Sequence, residues 1–190
     1  MEVSDRNKIF NDLVFTDEEI NIINSVFQKI NAKKGAIILN AGDIADAQYY
    51  IVSGCMRTFH TDEEGKEYTL QFGISDWWVS DYTAFFTGDK AILTVEAIQD
   101  STLYRISKED KEYLFTQIPK IDTFFRIKLE KAYTAFQKRI LINLSKTAKQ
   151  RYLNFIETYP KIEKSIKNYH IASYLGITTE SLSRIRKELS

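Results

Sequence analysis

The chain has 190 residues, 44% of them hydrophobic and 13% aromatic, which is enough apolar material for one large domain or two modest ones. Its formal net charge is zero, yet residues 1–125 hold 12 basic and 21 acidic side chains, a net of −9, while residues 126–190 hold 14 and 5, a net of +9. Cys55 is the lone cysteine, and His60 and His170 are the only histidines, so an intrachain disulfide is excluded and neither a structural metal site nor an iron–sulfur cluster has enough ligands.

Residues 1–10 are charged rather than built like a secretory signal, and no apolar run approaches the roughly 18–20 residues of a membrane span. A folded protein in the cytoplasm, without a membrane partner and without a cofactor, is the expectation. Thr16-Asp17-Glu18-Glu19 opens the first clear helix: Thr16 is a natural N-cap, Glu19 completes a capping box, and Ile20, Ile23, Phe27 and Ile30 follow at helical spacing, predicting an end near Ala32.

Between residues 34 and 106 the pattern changes to short β-branched and aromatic runs, at 36–39, 49–52, 56–60, 68–72, 92–98 and 102–106, separated by turn residues. Short strands at such spacing predict a sandwich or barrel. Asp62-Glu63-Glu64-Gly65-Lys66 reads as a hairpin tip, because glycine supplies the positive φ that a tight reversal needs. Cys55, within this region, reads as a small packed residue rather than a reactive thiol.

Beyond Ser107 the period is helical again. Residues 108–115 predict a short helix, and Pro119 allows a new start that runs to about Ser145. This long helix lines up Ile118, Ile121, Phe125, Leu129, Ala132, Phe136, Ile140 and Asn143 on one stripe, with Lys128, Lys131, Lys138 and Arg139 beside it or away from it. A narrow apolar seam on a long helix suits pairing with a second copy, and Ile121, Phe125, Leu129, Ala132, Phe136 and Ile140 are the candidate dimer residues. A stripe that simply covers the barrel is the alternative. A further helix is predicted from about Thr147 to Tyr159, where Pro160 ends it.

Residues 168–187 carry the most specific pattern. A helix-turn-helix needs a small residue where two helices cross, a turn residue free to adopt positive φ, and apolar residues at fixed offsets. Ala172 is the small residue, Gly176 the turn residue, and Ile171, Leu175, Ile177, Leu182 and Ile185 the apolar set. Thr178 then caps a second helix that offers Thr179, Glu180, Ser181, Ser183, Arg184 and Lys187 on its other faces. Arginine can donate twice to guanine and glutamate can accept from cytosine, so Glu180 and Arg184, one turn apart, form a candidate base-reading pair. Thr179, Ser181 and Lys187 suit phosphate contacts.

In this order of elements the sequence resembles the Crp/Fnr family of bacterial regulators over nearly its whole length. The likeness rests on Gly42-Asp43, on Tyr49-Tyr50-Ile51-Val52-Ser53-Gly54 followed by Cys55-Met56-Arg57, on the hairpin at 62–67 and on residues 171–187. It implies an α+β protein: an N-terminal β-roll of the cyclic-nucleotide-binding type, a double-stranded β-helix, at 1–115; a long dimerisation helix at 116–145; and a helix-turn-helix DNA-binding domain at 146–190. It also places Thr179, Glu180 and Arg184 where the family reads bases.

Two departures accompany the resemblance. Cyclic AMP binders of the family present Gly-Glu-Leu, whose glutamate holds the ribose, and later an arginine for the cyclic phosphate. Here the first stretch reads Asp76-Trp77-Trp78-Val79-Ser80-Asp81 and the arginine's place falls near Ala91 and Ile92. A phosphate buried without a cation is costly, so cyclic AMP is disfavoured. Trp77, Trp78, Asp81, Tyr82 and Lys90 remain the candidates to line a pocket for an unknown small-molecule effector, with plain core as the alternative reading. The family's β-hairpin wing after the recognition helix is also expected to be incomplete, since Ser190 follows Lys187 by three residues. The expected function is transcription regulation by a homodimer on a palindromic duplex, with RNA polymerase as a further candidate partner. The competing function is a ligand-binding or protein-interaction module in which the helix-turn-helix has become a docking surface; an enzyme is not expected.

Overall fold

A computed structural model of the protein describes residues 1–10, 13–160 and 162–189. Ser190, where the predicted DNA-binding domain ends, lies outside the described residues. The chain divides into two compact units, the first formed by Met1–His60 and Gln71–Ile127, the second by Thr61–Leu70 and Lys128–Ser190.

The first unit is a β-roll with helices around it. Helix α1 (Val3–Ile9) precedes helix α2 (Asp17–Val26), whose Thr16 cap is as predicted: the Thr16 hydroxyl accepts from Glu19 N and the Glu19 carboxylate accepts from Thr16 N. The helix stops at Val26 rather than near Ala32. Phe27 has extended backbone, and Gln28–Ala32 forms strand β1, which pairs antiparallel with β8 (Ser101–Ser107). Phe27 and Ile30 fit a helical spacing by sequence, but the ladder to β8 begins at Gln28 and takes in Ile30, overriding that weak local preference.

The remaining strands are β2 (Ile37–Leu39), β3 (Ala47–Ser53), β4 (Cys55–Thr61), β5 (Glu67–Ile74), β6 (Trp78–Val79) and β7 (Thr94–Ala97). They form two four-stranded sheets, ordered β1-β8-β3-β6 and β2-β7-β4-β5. Every predicted strand is present; β1 and the two-residue β6 were not anticipated. Leu39, Tyr49, Ile51, Met56, Val79, Val95 and Leu103 fill the space between the sheets. Gly54 joins β3 to β4 with a φ of +97°, and a Cβ there would lie 2.6 Å from the Asp100 carbonyl oxygen. A larger residue at this turn would both strain the backbone and collide with it.

A short helix α3 (Tyr82–Thr87) follows β6, and α4 (Lys108–Gln117) follows β8, capped by Ser107. Helix α5 (Pro119–Ser145) then runs for 27 residues, its start belonging to the first unit and its remainder to the second. A second core in the first unit joins Ile9, Phe10, Ile23, Phe27, Tyr50, Tyr104, Ile106, Leu114, Ile121 and Phe125.

The second unit consists of the β4–β5 hairpin tip, the rest of α5, and helices α6 (Ala148–Thr158), α7 (Asn168–Leu175) and α8 (Thr179–Leu189). The tip is the predicted one. Asp62 organises it: Oδ1 accepts from Glu64 N and Lys66 N, Oδ2 accepts from the Tyr68 hydroxyl, and Gly65 takes a φ of +80°. These donors, the Lys66 amide foremost, hold the Asp62 carboxyl below its ordinary pKa.

Candidate nucleic-acid interface

Helices α6, α7 and α8 enclose a small core of Tyr152, Phe155, Tyr159, Ile171, Ala172, Leu175, Leu182 and Ile185, all buried. The α7–α8 pair matches the predicted helix-turn-helix position by position. Ala172 is 3% exposed at the crossing, and Gly176 takes φ +65°, its N–H bonding back to the carbonyls of Ala172 and Ser173. Ile177 N donates to Ala172 O as well, so the last carbonyls of α7 are satisfied within the turn.

Thr178 caps α8: its Oγ1 accepts from Ser181 N at 3.2 Å. From this start Leu182 and Ile185 face the core, leaving Thr178, Glu180, Ser183, Arg184 and Lys187 exposed and Thr179 and Ser181 half-buried. The Thr179 hydroxyl donates to Glu180 Oε1 at 3.1 Å. Glu180's own amide, together with the Thr178 and Thr179 hydroxyls, lowers its carboxyl pKa, so the group is ionised and ready to accept a hydrogen bond.

Arg186 does not share this outward face. Its guanidinium donates to Tyr152 Oη, Asn168 Oδ1 and Glu163 Oε1, and Tyr152 Oη itself donates to Glu163 Oε1 at 2.7 Å. Arg186 thereby ties α8 to α6 and to the segment before α7. Sequence reasoning missed this role; the only available signal was that Arg186 directly follows core-facing Ile185, beside rather than on the polar face.

The candidate dimer stripe splits in two. Ile121 and Phe125 are buried, 0% and 8% exposed, inside the second core of the first unit, so they hold α5 onto the β-roll and are not seam residues. Leu129, Ala132, Phe136 and Ile140 are exposed, and so are Tyr133, Leu141 and Leu144, which the sequence reading did not single out. An apolar helix face of this length left open to water is the signature of a missing packing partner.

Of the candidate pocket residues, Asp81, Trp77 and Trp78 are fastened inside the fold. Asp81 is fully buried; its Oδ1 accepts from Ala84 N at 3.2 Å as the cap of α3, while its Oδ2 accepts from Ile92 N at 2.8 Å and Leu93 N at 3.0 Å. Trp78 packs edge-on against Tyr50 and Phe125 at 5.4 and 5.0 Å, and Trp77 packs against the core between the sheets. Tyr82 stacks on Phe86, and Lys90 is exposed, its main chain bridging Ile44.

Other interior polar groups are likewise engaged. Arg57, 2% exposed, pairs with Glu96 directly opposite it on β7 at 2.9 Å and lies 3.7 Å over the Phe59 ring. Tyr50 donates to Asp76 Oδ1 at 2.7 Å, fixing a residue whose φ is +71°. Lys111 sits 8% exposed among the rings of Phe85, Phe86, Phe115 and Phe125, 3.3 Å from Gln48 Oε1, and desolvation pulls its pKa down to about 8. Burial pushes the Cys55 thiol up to about 12, which makes it a poor nucleophile. Among the described residues no helix is long and apolar enough to cross a membrane, and no group of three His, Cys, Asp or Glu is placed to hold a metal ion.

The cyclic nucleotide-binding domain family matches residues 29–117. Over most of its length the chain is similar to regulators of the Crp/Fnr kind. It is 22% identical to the transcriptional activator protein Anr of Pseudomonas protegens over 80% of this chain and 66% of that protein. It is 23% identical to the fumarate and nitrate reduction regulatory protein of Vibrio cholerae over 89% of this chain and 72% of that one. The global regulator CLP of Xanthomonas campestris superposes with a TM-score of 0.72 at 17% identity, covering 92% of this chain and 91% of CLP, which shows the shared fold. The chain spans about two thirds of the length of the curated relatives it matches.

Proposed function

We propose that the protein regulates transcription as a homodimer on a two-fold symmetric duplex site, each copy laying α8 in the major groove. The observation that carries this reading is the outward face of α8, where Glu180 and Arg184 stand one turn apart with no core role, on the unit that holds the chain's excess of positive charge. Arg184 donates to guanine O6 and N7, Glu180 accepts from cytosine N4, and Thr178, Thr179, Ser181, Ser183 and Lys187 contact phosphates and flanking edges. The seam runs through Leu129, Ala132, Phe136 and Ile140, joined by Tyr133 and Leu144, and places two reading heads on half-sites roughly 34–36 Å apart. On promoter DNA such a dimer meets RNA polymerase, and no catalytic step is assigned to it.

Cyclic AMP does not fit the sensor. The amides of Ile92 and Leu93, at the place where the family's phosphate-binding arginine would fall, already donate to the Asp81 carboxylate, and a second anion there would meet like charge in a buried setting. An effector of different chemistry, or none, is the consequence.

Selection of bound duplexes from a random pool tests the reading. The expected result is a palindromic consensus whose binding falls steeply with salt. Arg184→Ala should then cost roughly 1–3 kcal/mol at one base pair of each half-site and relax the preference there. Equal losses on selected and random duplexes would remove Arg184 from base reading, and a pool that yields no consensus would remove the function.

A further inference from the structure

The outward residues of α8 can read base edges only if the helix is held in one rotational setting. A long side chain ends roughly 6 Å or more from the helix axis, so rolling α8 by about 10° moves the tip of Arg184 by about 1 Å. That shift carries a paired hydrogen bond out of its working range of about 2.7–3.2 Å. Leu182 and Ile185 keep α8 on the core, but apolar contacts have no direction and tolerate such a roll.

Arg186 supplies the directional hold. Its Nε donates to Tyr152 Oη on α6 at 3.0 Å, its Nη1 to Asn168 Oδ1 at the start of α7 at 2.6 Å, and its Nη2 to Glu163 Oε1 in the connection between those helices. The Tyr152 hydroxyl donates to the same Glu163 oxygen, so three side chains close a ring. A planar guanidinium fixes all of these directions at once, which a single ammonium cannot do. Arg186 lies two residues beyond Arg184, about 200° round the helix, so anchor and reader stand on nearly opposite faces. The other polar tie from α8 to α6 joins Lys149 to Glu188 at 3.4 Å, but both side chains are exposed and such a pair holds little.

Resting on the DNA-binding reading above, we propose that Arg186 is a specificity-determining positioning residue: clamped by Tyr152, Glu163 and Asn168, it sets the roll of α8 and so the aim of Arg184 and Glu180. Its charge is answered within the protein by Glu163, so it acts through the readers rather than on the duplex. Without the clamp, bidentate base contacts lose their geometry, while flexible phosphate contacts such as that of Lys187 adapt. Discrimination between base pairs therefore falls much more than general affinity.

The test uses the full-length protein and two duplexes, the selected one and one changed at the base pair that Arg184→Ala reveals. Arg186→Met, which keeps an apolar stem, is expected to lower the preference for the selected duplex about tenfold, with binding to random duplex within about twofold and the salt slope unchanged. Tyr152→Phe keeps the ring in the core and removes one arm of the clamp, so it should lower the preference about threefold even if Arg186→Met does not fold. Arg186→Lys should recover only part of the loss. In an Arg184→Ala background, Arg186→Met should change the preference at that base pair no further, because the two act through one contact. Equal losses on both duplexes, or full discrimination in Arg186→Met or Tyr152→Phe, would reduce Arg186 to a structural tie and overturn the proposal while leaving the DNA reading in place. A wild-type protein that selects no duplex would defeat the DNA reading itself and the positioning role with it.

Discussion

The two units treat their polar side chains in opposite ways. In the β-roll, polar side chains are turned inward and consumed: Asp81, one of the candidate pocket residues, holds three main-chain amides, Arg57 answers Glu96, and Tyr50 answers Asp76. In the helix-turn-helix unit, Arg186 alone of the arginines on α8 is spent on structure, while Glu180 and Arg184 remain open to a partner. The same residue types therefore mark opposite things. A buried carboxylate whose acceptor sites are filled by the protein is part of the scaffold, whereas an ionised one held ready at a helix start is available for recognition.

Substitutions that exchange stability for binding sharpen this contrast. The largest effect is expected at the proposed seam: Phe136→Asp would put a charge where two apolar helix faces meet, and the proposed dimer should then run as a monomer in sedimentation, with loss of duplex binding. Next, Asp81→Ala leaves three main-chain amides without their acceptor and should lower stability by about 2–4 kcal/mol in denaturant unfolding, whereas Arg184→Ala should stay within about 0.5 kcal/mol. Equal destabilisation by the two would erase the distinction between the units.

Lys111 gives a smaller, pH-dependent effect. Burial among four phenylalanine rings disfavours its charged form and lowers its pKa from 10.5 to about 8, against the pull of Glu112 and Asp122. The unfolded chain keeps this proton to higher pH than the folded one, so stability should rise as pH goes from about 8 towards 10.5. Lys111→Met should raise the unfolding midpoint at neutral pH and flatten that rise, giving a gain of about 1–2 kcal/mol at pH 7 after the lost ring contacts are counted. Smallest is Lys187→Ala, expected to weaken every duplex alike and to reduce the salt slope by about one.

How much of this was legible depended on whether a local signal had a competitor. The Thr16 cap, the Asp62 tip and Gly176 were readable because each needs only its neighbours: a side-chain acceptor three residues before an amide, or a backbone angle that glycine adopts freely. The end of α2 was not readable, since Phe27 and Ile30 satisfy a helical period and only the distant β8 ladder, which starts at Gln28, shows the helix stopped before them. Helix α3 was invisible because Tyr82-Thr83-Ala84-Phe85-Phe86-Thr87 has weak helix propensity and is held by Asp81, which also binds amides eleven and twelve residues further on. The apolar stripe on α5 is continuous in the sequence, and nothing in its periodicity told where the barrel's core stops and open surface begins. That boundary lies between Phe125 and Leu129, and only the packing of Phe10 and Trp78 onto Phe125 defines it.

Helix α5 carries one more implication. Phe125 and Leu129 are four residues apart, one sealed in the first unit's core and the other the first open position of the same stripe. A helix turns by roughly 100° per residue, so slipping the pairing face round by a single position would require pulling Phe125 out of its aromatic nest. In the dimer proposed above, Phe125 would thus act as a key, fixing which face of the helix a second copy meets.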